Sequence, residues 1–155
     1  MEPIYRQSFL LGDGDTDRFC RLRPARLLYY VQEVSGMHSS LLSWDYETLA
    51  GKRLFWAATR HRAQIERLPQ LGETVTLETW PMPTTRVAYP RSTVAYDASG
   101  HVCFRTVTLW VLMNLDTRAM ILPGKSGVTV AGTLRGSELA LPGSLIPKPF
   151  AAACE

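Results

Sequence analysis

The sequence predicts an α+β domain: one long central helix wrapped by an antiparallel sheet of about five to six strands. Three observations carry this expectation. Apolar residues recur at helical spacing between Pro24 and Trp44, and the run from Leu54 to Met120 is strand-like and broken only by turn clusters. The third is size: 155 residues, 46% of them hydrophobic, can bury one good core and favour one domain over two.

Tyr5 to Leu11 has strand composition and stops at the turn cluster Gly12-Asp13-Gly14-Asp15. The helix starts at Pro24, whose missing N–H costs nothing at a first helical position. Leu27, Leu28, Val31, Val34, Leu41 and Leu42 form its apolar stripe. A second short helix is expected around Asp45 to Leu49, closed by Gly51. Strand patterns then run from Phe55 to Arg67, Thr74 to Trp80, Val87 to Tyr96 and Val102 to Met113. The turns between them are Pro69 to Glu73, Pro81 to Pro83 and Asp97-Ala98-Ser99-Gly100, so consecutive hairpins make the sheet mostly antiparallel. Residues 1–123 are expected to form the domain. Residues 124–155, rich in Gly, Ala, Pro and Leu without a period, read as a tail packed on the domain or partly disordered.

Composition excludes several function classes. The net charge of +3 is spread along the chain, with no dense basic stripe for nucleic acid. No apolar stretch approaches the roughly 18 residues of a membrane span, and the first residues lack a basic start followed by an apolar run. Cys20, Cys103 and Cys154 are far apart and read as reduced thiols, which points to a cytoplasmic protein. No metal is expected: Asp13, Asp15 and Asp17 imitate half a calcium loop, but Arg18 stands where Gly is needed and Pro24 where Glu is needed. Pro123-Gly124-Lys125-Ser126 ends like a phosphate loop, yet Ala119 replaces its first Gly. There is no G-x-S-x-G elbow.

Three segments, WAATRHRAQIERLPQLGETVTLETWP (56–81), WVLMNLDTRAMI (110–121) and the helix run from Tyr30 through Gln32 and Glu33 to His38, together resemble the acyl-carrier-protein thioesterases of bacteria and plants. The resemblance spans roughly residues 5 to 123. It implies a hotdog fold, an acyl thioester substrate on acyl-carrier protein or coenzyme A, and no cofactor. Members of that family carry two such units in tandem; this chain is one unit long and looks like the first. Because hotdog acyl sites form between paired units, the resemblance also implies a homodimer or a dimer of dimers. In two-unit members an Asp-x-Asn-x-His pattern before the second helix is catalytic. Here Asp15-Thr16-Asp17-Arg18-Phe19 keeps the acids without Asn or His, so catalysis does not carry across on that motif.

Thioester hydrolysis needs a polarised carbonyl and a carboxylate that activates water or attacks directly. The helix N-terminus at Pro24 and Ala25 offers free amides and the positive dipole end as an oxyanion site. Glu33 lies about 12 Å along the axis, a spacing similar to that of hotdog thioesterases with a helix-borne carboxylate. Glu33 is the first candidate for base or nucleophile; the competing reading is a solvated helix glutamate. His38 falls within the apolar stripe, as a catalyst or as a satisfied core histidine. Asp17 is the rival loop carboxylate, or a turn residue. Gln32, Arg60, Arg62 and Arg91 are candidate substrate-binding groups, the arginines alternatively forming ion pairs with Glu66 or Glu78. Trp56, Trp80 and Trp110 pack the core or line an acyl channel. The function this predicts is acyl thioester hydrolysis. The alternatives are a non-hydrolytic acyl-binding protein and a chain-release or cyclising enzyme acting on polyketides.

Overall fold

The computed structural model describes residues 3–143; the expectations for 144–155, Cys154 included, lie outside the described residues. Strand β1 (Tyr5–Leu10) leads through a 3-10 turn at Asp13–Asp15 to helix α1 (Pro24–Leu41) and then to α2 (Tyr46–Gly51). Strands β2 (Leu54–Ile65), β3 (Thr74–Pro81), β4 (Tyr89–Tyr96) and β5 (Val102–Asn114) follow. The two-residue β6 (Met120–Ile121) and one helical turn, α3 (Pro123–Ser126), complete the order.

The sheet runs β1-β3-β4-β5-β2, antiparallel throughout, with β6 extending β5 past Trp110, where the β4 pairing ends. At the β4–β5 hairpin the left-handed backbone (φ 82°) falls on Gly100, where a side chain would be strained. β2 is an edge strand, and a register shift between Ala58 and Arg60 marks a bulge in its pairing with β5.

α1 begins at Pro24 as its sequence predicts and ends at Leu41, three residues short of Trp44. Ser43 turns the chain left-handed at φ 64°, and the Ser39 hydroxyl donates to the Trp44 carbonyl at 2.7 Å, closing the helix end. Asp45 then caps α2, accepting from the Thr48 N–H at 2.7 Å.

Residues directly opposite in the ladder share a face. Leu77, Ala95 and Phe104 form one such row and pack against Leu27, Val31 and Val34 of α1. Each of these side chains is essentially sequestered from water, a contribution of about 1.5–3 kcal/mol apiece for the Leu, Val and Phe side chains and less for Ala95. The opposite face, with Trp80, Val94 and Val107, is buried too, so β4 is buried from Tyr89 to Ala95 without alternation.

After α3 the chain first stays on the helix side of the sheet, where Val128 and Val130 pack beside Tyr89 and Leu112, and it then passes the end of β3, where Thr133 N–H donates to the Pro81 carbonyl at 2.9 Å, to cover the second face. Beyond that crossing, Arg135 stacks on the Trp80 ring at 4.8 Å and Glu138 accepts from Trp80 Nε1 at 2.9 Å. Glu78 is gripped from both sides, by Arg6 and by Arg135, and those bonds hold its pKa below the ordinary value although burial alone would raise it. A second core, Leu49, Leu54, Tyr89, Leu112 and Val128, ties α2 to the β2/β5 end.

Candidate active site

A groove of about 560 Å³ opens between the C-terminal half of α1, the α1–α2 connection and the ends of β2, β4 and β5. Its walls are largely aromatic: Trp44, Phe55, Trp56, Tyr89 and Trp110. Trp56 meets Tyr89 edge to face at 5.0 Å between centroids, and the Tyr89 hydroxyl is fixed by the Ser126 hydroxyl at 2.8 Å and by the Val128 carbonyl at 3.0 Å. This is the volume and chemistry of a small-ligand site, apolar walls with a few polar groups.

Three of the sequence candidates stand at the helix and floor of this groove: Gln32, Glu33 and Arg91. Glu33 is exposed, and no hydrogen bond or ion pair to it is found among the described residues. Arg91 lies on the α1-facing side of β4 and is only 8% exposed. Its Nη1 donates to His38 Nδ1 at 2.9 Å and, more weakly, to Thr79 Oγ1 at 3.4 Å. Desolvation lowers its pKa to about 10, which still leaves it charged near neutral pH. No carboxylate pairs with it among the described residues, although holding a buried charge without one costs several kcal/mol.

His38 is buried behind Arg91 and stacks on Tyr5 at 6.1 Å between centroids. Because a guanidinium can only donate, Nδ1 accepts, and the ring proton resides on Nε2. His38 does not line the groove. Its hydrogen bond holds one end of the Arg91 guanidinium.

The structure takes the other candidates elsewhere. Asp17 Oδ1 accepts from the N–H groups of Phe19 at 2.8 Å and Arg21 at 3.0 Å, a turn-stabilising arrangement outside the groove. Its neighbour Asp15 is buried and ion-paired with Arg26 at 2.8 Å; burial alone would raise its pKa, but bonds from Gly12, Tyr30 and Arg26 hold it down. Pro24 and Ala25 are exposed at the start of α1, a helix end without a side-chain cap, and do not line the groove.

Arg60, Arg62 and Trp80 sit on the face turned away from α1. Arg62 Nη1 donates to the Ala140 carbonyl at 3.3 Å, and Trp80 is fully buried under Arg135 and Glu138. Strand parity is the reason: Arg62 pairs with Val107 and Trp80 with Ser92, rows that point opposite to Arg91 and Thr108. Trp56, two residues on from the inward-facing Leu54, enters the groove as its sequence position allows.

Of the groove walls, Trp110 was a channel-or-core candidate in the sequence and the structure places it in the lining, whereas sequence reasoning missed Trp44, Phe55 and Tyr89. Each is an aromatic at a strand start or end or beside the break after α1, and clustering at element ends is the signal that could have found them. Among the described residues no group of three or more His, Cys, Asp or Glu is placed to hold a metal ion. No described helix is long and apolar enough to cross a membrane.

Solved thioesterases share this architecture. An acyl-ACP thioesterase from Bacteroides thetaiotaomicron superposes with TM-score 0.80 at 22% identity, covering 91% of this chain and 58% of that one. A DHNA-CoA thioesterase from Staphylococcus aureus superposes with TM-score 0.70 at 13% identity, covering 77% and 80%. The long helix set on this antiparallel sheet is therefore a hotdog fold. In sequence, oleoyl-acyl carrier protein thioesterase 1, chloroplastic, of Arabidopsis thaliana is 29% identical over 123 residues, 75% of this chain and 34% of the relative. The family model described as the acyl-ACP thioesterase N-terminal domain matches residues 2–122, and the chain belongs to that family. It spans about a third of the length of the curated relative from Arabidopsis thaliana.

Proposed function

We propose that this chain is a thioester hydrolase that works as a homodimer, or a dimer of dimers, on an acyl chain carried by acyl-carrier protein or coenzyme A. Glu33 acts as general base or nucleophile. One observation carries the reading: a helix carboxylate with no ion pair or hydrogen bond among the described residues, on the rim of an aromatic groove large enough for an acyl chain. Within one protomer the helix end at Pro24 and Ala25, where Ala25 supplies the free N–H because Pro24 has none, lies about 12 Å along the helix from Glu33, so it serves the thioester carbonyl only across a pair of protomers. Two further features support pairing. β2 is an edge strand with an open ladder, and α1 exposes Leu28, Met37 and Leu41 beside Gly36. The free thiols Cys20 and Cys103 are consistent with a reducing compartment such as the cytoplasm.

A second reading is favoured by one specific observation, that the matching family model is the N-terminal domain and the loop at 15–19 holds neither Asn nor His. Under it the chain binds acyl groups without hydrolysing them. Thiol release from acyl-pantetheine, acyl-coenzyme A and acyl-carrier-protein thioesters, short to long, separates the two. Turnover above the spontaneous rate supports the hydrolase, saturable binding without thiol release supports the acyl binder, and a cyclic product in place of a free acid would mark a chain-release enzyme.

A further inference from the structure

Arg91 is a charged group with no carboxylate partner among the described residues, at the floor of an apolar groove, and its bonding is one-sided. Both of its hydrogen bonds to described residues leave from Nη1, toward His38 and Thr79. The other long edge of the guanidinium, Nε with Nη2, makes no hydrogen bond among the described residues, and Arg91 lines the groove. That edge carries two parallel N–H groups, the fork that matches the two oxygens of a carboxylate.

The surroundings are built to hold this edge in place. His38 can only accept at Nδ1, which fixes one end of the guanidinium; Thr79 is itself tied to the Ser92 carbonyl at 2.8 Å and accepts from Thr93 at 3.0 Å. On the same face of the neighbouring strand, Trp110 also lines the groove, and its buried Nε1 has no hydrogen-bond partner among the described residues. A groove meant only for a hydrocarbon chain gains nothing from a buried cation and an unmet donor in its wall.

We infer that the groove floor is an anion subsite, and that the acyl group it takes carries a carboxylate of its own, held by the Nε/Nη2 edge of Arg91 while the thioester lies toward Glu33. The substrates are thus thioesters of acids with a second acidic end, such as ω-carboxyacyl chains. The identity of the reaction rests on the thioesterase reading; the subsite itself does not.

The test uses matched pantetheine compounds that differ only at the far end, adipoyl with hexanoyl and suberoyl with octanoyl. Each pair is made as a thioester for turnover and as a non-hydrolysable thioether for calorimetric binding. Wild type is expected to bind the carboxyl-ended thioethers at least tenfold more tightly than the methyl-ended ones. Arg91→Met should abolish that ratio, and Arg91→Lys, which keeps the charge and loses the fork, should retain only part of it. Circular dichroism establishes that each variant is folded. Because wild type alone already yields a ratio, an unfolded variant does not remove the test. Equal binding of the two ends, preference for the methyl end, or no binding of either overturns the subsite. A carboxyl preference in binding without hydrolysis of any thioester upholds the subsite and removes the hydrolase reading.

Discussion

Replacing Trp80 separates packing from substrate binding. The ring is fully buried on the face away from the groove, sandwiched by Arg135 at 4.8 Å, with Nε1 donating to Glu138 at 2.9 Å. Trp80→Ala removes the ring and leaves a cavity between β3 and the covering segment, a change that costs about 3–5 kcal/mol. At roughly 2–4 °C per kcal/mol for a chain of this size, the melting temperature should drop by about 6–20 °C. Trp80→Phe keeps most of the ring and loses one hydrogen bond to a carboxylate. Glu138 still accepts from the backbone N–H groups of Arg135 and Gly136, so the loss should be near the low end, about 1–2 kcal/mol. Thermal unfolding and thiol release from a chain-length panel, measured on the same samples below the melting range, check both halves. The expected outcome is a large stability loss with an unchanged chain-length profile. A shifted profile with stability intact would place Trp80 in the acyl channel and refute the face assignment.

Three more perturbations probe other parts of the structure. At Gly132 an added Cβ would lie 2.3 Å from the Met82 carbonyl carbon, so Gly132→Ala should lift the covering segment from the sheet, cost about 1–3 kcal/mol and speed proteolysis after α3. Arg67 bridges Glu73 at 2.6 Å and Asp97 at 3.0 Å; its bonds are the main cause of the lowered Glu73 pKa, and in Asp97 they add to the backbone N–H of His101. Carboxylates with depressed folded pKa values contribute stability that is full above their unfolded values near about 4 and is lost as pH falls through the folded ones. Arg67→Met should therefore move the acid-unfolding midpoint, followed by circular dichroism, to higher pH; an unmoved midpoint would show that the bridge contributes nothing. Finally, His38→Leu removes the acceptor for Arg91 and should cost about 1–3 kcal/mol in urea unfolding, with His38→Asn recovering part of it.

Much of the fold was legible because its elements are locally consistent. The period of α1 from Leu27 to Val34, Pro24 at its start and the turn at Asp97 to Gly100 all act through neighbouring residues. What the sequence hid is long-range. Alternation along β3 and β4 separates two faces but does not say which one meets the helix, and with the chain after α3 covering the second face both read as core. For that reason Trp80 and Trp56, or Arg62 and Arg91, looked equivalent as sequence positions and fall on opposite sides of the sheet. The helix side of the site, Gln32 and Glu33, was readable from α1 alone. Of the aromatic walls, Trp56 and Trp110 were readable only as channel-or-core residues, and Trp44, Phe55 and Tyr89 were not, because strand pairing with β5 and the break at Ser43 bring them to the groove. Residues 127–143 had no period to read, since they hold on through Arg135, Glu138 and backbone bonds and not through a regular element.

Whether Glu33 performs the chemistry from the groove rim is decided by thiol release from wild type and Glu33→Ala, on the best thioester of the panel and with both proteins shown to be folded and in the same oligomeric state. With Glu33 as base or nucleophile, turnover in Glu33→Ala should fall about a hundredfold or more, the scale of a lost general base, with Glu33→Gln equally impaired. Turnover within twofold of wild type in Glu33→Ala would take the carboxylate out of the reaction.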